Sequence, residues 1–177
     1  MRLHPAFPAL LALVGACSPV PPPAEPTRDS AATNPPPALV AGRVALTRLR
    51  AEPYSLAYSS GFDEAAQLVL RDTTAWAQAW ARIYARHGEA PPRPAFDAAA
   101  EQLVLVAIGT RATGGFGILL DSALVARDTL FVHATSSRPG QRCGTTAALT
   151  QPVDVARVPR LEAPVRFAVR ETVTECP

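Results

Sequence analysis

The side chains with most chemical potential are three cysteines, Cys17, Cys143 and Cys176, and three histidines, His4, His87 and His133. A cysteine attacks as its thiolate and needs a base nearby, and Cys143 with His133 is the pair this chain could offer. The usual supporting groups do not accompany it. No Asn or Asp stands where it would orient His133, and no glycine-flanked elbow surrounds Cys143. Ser59-Ser60-Gly61 and Ser136-Ser137 lack the G-x-S-x-G arrangement that exposes a serine nucleophile. The carboxylates are scattered singly, so no pair suggests glycoside hydrolysis. No spacing of His, Cys or carboxylate suits a metal ion. The pattern points to no catalytic group, no metal and no cofactor. Cys143 and Cys176 keep three readings: a disulfide, two unpaired thiols, or a nucleophile at Cys143. A disulfide is the working expectation. An exported compartment would permit it, and the closed loop would contribute roughly 3–4 kcal/mol.

The most individual stretch is Gly109-Thr110-Arg111-Ala112-Thr113-Gly114-Gly115-Phe116. Consecutive glycines allow positive φ and close backbone approach. Thr113, Gly114, Gly115 and Phe116 could form a rigid, protruding loop that binds a partner. The plainer alternative is a glycine-rich connection between strands, with Phe116 in the core.

The front of the chain carries a different chemistry. MRLHPAFPALLALVGA, residues 1–16, has Arg2 as its positive end and a short apolar run from Phe7 to Ala16. That run is too short to span a bilayer and suits a signal peptide. It ends on Val14-Gly15-Ala16, directly before Cys17. This resembles the lipobox of bacterial lipoproteins. The resemblance implies cleavage before Cys17, lipidation of its sulfur, and acyl chains such as palmitate that anchor the protein in a membrane. Ser18 at the following position implies the outer membrane, on its periplasmic side, in a Gram-negative cell. His4 leaves with the leader. Residues 17–42 then form a lipidated Cys with a proline-rich, disordered linker. At about 3.1 Å per residue, Ser18 to Pro37 alone would reach roughly 60 Å.

The body, residues 43–177, has the composition of one globular domain. The chain is 48% hydrophobic with a net charge of +2. All 17 basic residues are Arg, with acids dispersed among them, so there is no basic stripe for nucleic acid. Arg43 to Arg50 alternates like a strand that ends near Pro53, and a second strand covers Gln67 to Leu70. Asp72, Thr73 and Thr74 offer N-caps for a helix with Trp76, Trp80, Ile83 and Tyr84 on one face. Gly88 would close that helix, with Arg86 and His87 in its last turn. Helical spacing explains the tryptophans as core residues; glycan stacking is the alternative.

Leu103 to Ile108 is apolar throughout, as in a strand covered on both faces. Phe116–Ala126 and Thr129–Ser136 form a hairpin turning at Arg127-Asp128, and residues 138–141 read as a turn. Short strands follow at Ala147–Thr150 and Val153–Val158. The last, Pro164–Thr174, sets Val165, Phe167 and Val169 against Arg166, Arg170 and Thr172. The fold class is α+β: a mostly antiparallel β-sheet with one main amphipathic helix packed on it.

An apolar strand running into Thr113-Gly114-Gly115-Phe116 is similar to the strand-plus-TGG-aromatic signature of the PrcB family, lipoproteins of a bacterial surface protease complex. The tryptophan helix after Ser60-Gly61-Phe62 resembles the family's upstream region. Pro139-Gly140-Gln141-Arg142-Cys143, Leu149-Thr150-Gln151-Pro152 and Val155-Ala156-Arg157-Val158-Pro159 resemble its closing strands. Phe116 stands where Tyr is usual. The resemblance implies a non-catalytic envelope lipoprotein that binds, stabilises or regulates another protein, a protease among the candidates. The alternatives are a glycan- or small-ligand-binding lipoprotein and a Cys/His hydrolase.

Overall fold

The structure is a computed structural model that describes residues 41–50 and 55–176. The leader, Cys17, the linker as far as residue 40 and Pro53 lie outside the described residues, and Gly42, expected at the end of the disordered linker, is instead the first residue of a strand.

The elements run β1 (Gly42–Val44), β2 (Thr47–Arg48), β3 (Ala65–Leu70), α1 (Thr73–Ile83), β4 (Glu101–Ile108), β5 (Gly117–Ala126), β6 (Thr129–Pro139), β7 (Val153–Pro159) and β8 (Val165–Thr174). They build two four-stranded sheets, ordered β1-β5-β6-β8 and β2-β7-β4-β3. Every pairing is antiparallel except β6 with β8, which is parallel. The α+β class stands, with the strands divided between two sheets.

The apolar run of β4 explains the layering. Leu103, Leu105 and Ala107 pack with Trp76, Ala79, Trp80 and Ile83 of α1. Val104, Val106 and Ile108 point the other way, onto Ile118 and Leu120 of β5 and Leu130 and Val132 of β6. The second sheet is therefore buried on both faces, between the helix and the first sheet, as a continuous apolar strand requires.

The helix begins where expected. The Asp72 carboxylate accepts the Ala75 amide at 2.7 Å. Its end differs. It stops at Ile83 with Tyr84 as cap, so Arg86, His87 and Gly88 lie beyond it. The segment Ser60–Asp63 closes it instead. Gly61 N–H donates to Arg82 O at 2.9 Å, and a Cβ on Gly61 would sit 2.9 Å from that same oxygen. Arg86 reaches back to Ser60 O at 2.8 Å and Asp63 at 2.5 Å. The indole N–H groups of Trp76 and Trp80 donate to Pro94 O and Pro91 O at 2.8 and 3.0 Å. The proline segment thus satisfies the polar atoms of both buried rings.

Three further expectations are corrected. The strand predicted over Arg43–Arg50 is two strands in different sheets, because Arg43 pairs with Leu124 and Arg48 with Ala156. Ala147–Thr150 forms no strand; Thr150 makes a single bridge to Arg111. Arg138 and Pro139 extend β6 rather than turning. The hairpin does turn at Arg127 and Asp128, with φ of +48° and +59°. Both residues are left-handed, the geometry whose twist suits a two-residue hairpin.

Beyond these, β5 carries a bulge. The register with β6 shifts between Leu120 and Ser122. Ile118 and Leu120 face the core before it, Ala123 and Val125 after it. The extra residue, Asp121, joins Ser122 on the outer face and accepts the Thr135 hydroxyl at 2.6 Å.

Candidate functional site

The glycine loop leaves β4 at one end of the sandwich. Gly109 has φ +75°, and a Cβ there would lie 2.9 Å from Ala65 N, so the chain can cross the start of β3 only as glycine. Thr110 N–H then donates to Asp63 O at 2.9 Å. Arg111 and Thr150 exchange both backbone hydrogen bonds, at 2.8 and 3.0 Å. The Thr150 hydroxyl donates to Thr113 O at 2.9 Å, and Gly114 N–H donates to Thr146 O at 3.0 Å.

The loop is thus seated along its length on residues 145–150. It is held by hydrogen bonds to that segment and does not protrude freely. Gly114 is buried, and any Cβ there would collide with the Thr146 hydroxyl. Gly115 is exposed at φ +87°. Thr113 is half-buried. Phe116 packs its ring against the inter-sheet core, with the Arg111 guanidinium 5.7 Å from the ring centre. The core placement of Phe116 follows from its position: β5 begins at the next residue.

Residues 140–150 are themselves tied down. Gly140 N–H donates to Thr174 O at 2.9 Å. Cys143 and Cys176 stand at disulfide distance, with Cα atoms 5.1 Å apart. The support runs from the Cys143–Cys176 pair through Thr146 and Thr150 to the loop.

Two depressions flank the loop. One, of about 300 Å³, is lined by Tyr58, Gly115, Phe116 and Leu119 with Ser55 and Ser137. The other, of about 430 Å³, opens between the sheets where the edge strands β3 and β8 diverge. Its walls are Ala65, Val106, Ile108 and Val169, with Gln67, Arg111, Ser136 and Glu171 as polar groups. At the same end Leu149 is 65% exposed and Tyr58 38% exposed. Sequence reading missed both; an isolated Leu or Tyr in a loop carries no periodic signal.

The other candidates are not brought together. His133 lies mid-strand on the outer face, opposite Ser122 and Ala168. Cys143 lies past the end of β6, with about 20 Å of strand between His133 and Pro139 alone. Trp76 and Trp80 are 0% and 6% exposed, so neither can stack on a glycan. Among the described residues no group of His, Cys, Asp and Glu could hold a metal, and no helix is long and apolar enough to cross a membrane.

One buried charge stands apart from the loop. Asp154 on β7 is fully buried, and its Oδ2 accepts from Arg48 Nε at 2.7 Å and from the Leu120 amide at 2.9 Å. Burial pushes its carboxyl above the ordinary aspartate value, against the pull of Arg48 and the Leu120 amide. This carboxylate links the two sheets at the bulge.

Fold and site together define a layered β-sandwich with a buttressed glycine loop at one end. The family model for the PrcB C-terminal domain matches residues 103–159. The match runs from β4 through the loop and the hairpin to the end of β7, and the TGG-aromatic resemblance is shown over that span. No curated protein matches the chain, and no solved structure does.

Proposed function

We propose that this chain is a non-catalytic envelope lipoprotein whose sandwich end binds and stabilises a partner protein, with a protease as the expected partner. The observation that carries the reading is the seated loop. Four hydrogen bonds hold residues 109–116 against residues 146–150, while Leu149 and Tyr58 stay exposed beside them. A surface ordered before binding loses little entropy on association, and an exposed tyrosine such as Tyr58 is a suitable anchor, with Leu149 adding apolar area. Cys17 serves as the lipid attachment point and residues 17–42 as the leash. In a Gram-negative cell this places the domain at the outer membrane, facing the periplasm.

The test is affinity purification of the full chain from solubilised membranes. Leu149→Asp should remove the partner protein and leave the fold intact, because residue 149 is exposed. Gly114→Arg should also remove it, by unseating the loop from Thr146. An unchanged partner set with Leu149→Asp refutes the binding surface. Palmitate labelling that persists in Cys17→Ser refutes the anchor.

A further inference from the structure

The outer face of the first sheet has no layer packed on it among the described residues. Across the sheet, Arg43 pairs with Leu124, Leu124 with Phe131, and Phe131 with Arg166. One continuous row therefore reads Arg-Leu-Phe-Arg. With strands about 4.8 Å apart, the two arginines stand roughly 14 Å from each other. Leu124 and Phe131 are half-buried, and neither belongs to the inter-sheet core. Arg43 and Arg166 are exposed.

The charges on this face do not cancel. Arg170 donates to Thr135 Oγ1 at 2.7 Å and lies 4.0 Å from Asp121, which accounts for that carboxylate. Arg127 and Asp128, adjacent at the hairpin tip, add no net formal charge. Arg43 and Arg166 have no carboxylate within salt-bridge distance among the described residues. An apolar centre framed by two arginines suits a water–lipid boundary: the rings and methyls enter the acyl margin while the guanidinium groups reach phosphates. β1, the strand of this sheet nearest the front of the chain, begins at Gly42, next to Arg43.

We propose that this face docks on a bilayer bearing anionic headgroups, with Leu124 and Phe131 at the boundary and Arg43 and Arg166 on the phosphates. The contact is separate from the acyl anchor. The anchor keeps the domain near the membrane, where a weak surface contact suffices; the face sets its orientation. The seated loop lies at the end of the sandwich and stays open to a partner.

The test uses the full chain carrying Phe131→Trp, on vesicles of phosphatidylglycerol and phosphatidylcholine in equal parts and on vesicles of phosphatidylcholine alone. Wild type supplies the background from Trp76 and Trp80. The added indole should shift to the blue on the anionic vesicles only, and the shift should fade with salt. Each arginine near an anionic leaflet multiplies association about fivefold. Adding Arg43→Gln and Arg166→Gln should therefore lower the docked-to-undocked ratio about 25-fold. Flotation on neutral vesicles scores the acyl anchor independently. A chain that floats on both vesicles with no blue shift, or with equal shifts on both, overturns the docking face and leaves the anchor standing. A chain that fails to float on neutral vesicles but shifts on anionic ones supports the face and removes the anchor. A shift that needs no vesicles and grows with protein concentration overturns the proposal in favour of self-association.

Discussion

Replacing Asp154 by Ala should be the most destabilising single change at a polar residue. The carboxylate is fully buried and its partner side chain Arg48 is 6% exposed, so water can replace neither interaction. The substitution removes the acceptor at 2.7 Å from Arg48 Nε and leaves the Leu120 amide, now 2.9 Å from Oδ2, without one. Breaking a buried pair on one side costs about 3–5 kcal/mol. In a domain of this size that lowers the melting temperature by roughly 10–15 °C. Urea unfolding followed by tryptophan emission should show the loss as a lower midpoint at unchanged slope. Arg48→Met with Asp154→Leu should recover most of it, short of about 1–2 kcal/mol for the orphaned amide. A loss below about 1 kcal/mol in Asp154→Ala would refute the buried link between the sheets. The pH dependence has a definite sign. Burial raises the folded-state pKa of Asp154, so its contribution is complete below the unfolded value of about 3.9 and is lost as pH rises through the folded value. Asp154→Asn cannot ionise, so the stability gap between wild type and this variant should widen as pH falls from neutral towards about 4. A gap that narrows over that range contradicts the assignment.

Other substitutions probe separate parts of the structure. Asp128→Gly at the hairpin, where φ is +59°, should stabilise by about 0.5–1 kcal/mol in urea unfolding, because glycine adopts this conformation without a Cβ clash; a loss of stability would contradict the turn geometry. Asp72→Ala removes the 2.7 Å cap on the Ala75 amide and should cost about 1 kcal/mol, with faster hydrogen exchange confined to the first turn of α1. Cys143→Ser with Cys176→Ser opens a link with a sequence separation of 33 and should cost roughly 3–4 kcal/mol. In that variant, exchange of the Arg111 and Gly114 amides should rise more than that of β4. Uniform loosening would mean that the link does not serve the loop.

The parts legible in the sequence were those where one local signal decides the outcome. Leu103–Ile108 is apolar at every position, and only a strand covered on both faces needs that. Trp76, Trp80 and Ile83 repeat at helical spacing and lie on the buried side. What stayed hidden depends on partners distant in sequence. Residues 43–50 alternate like one strand, yet Arg43 and Arg48 pair in different sheets, and nothing local says which strand will receive each half. The parallel pairing of β6 with β8 spans the whole of β7 in the other sheet. The bulge did leave a trace, since the core-facing phase slips from Ile118 and Leu120 to Ala123 and Val125. Leu119 and Leu124 on the opposite face masked the slip. The glycine loop was legible as a special backbone but not as a seated one, because its support comes from Thr146 and Thr150, more than thirty residues on.

The proposed binding end is tested most directly by a photo-crosslinking residue placed at Leu149 of the full chain in intact envelopes. A tethered interaction module predicts one dominant adduct with a single other protein, absent when the same probe replaces the exposed Glu89 beyond the helix. Equal labelling from both positions, or none from Leu149 with the fold intact, contradicts it.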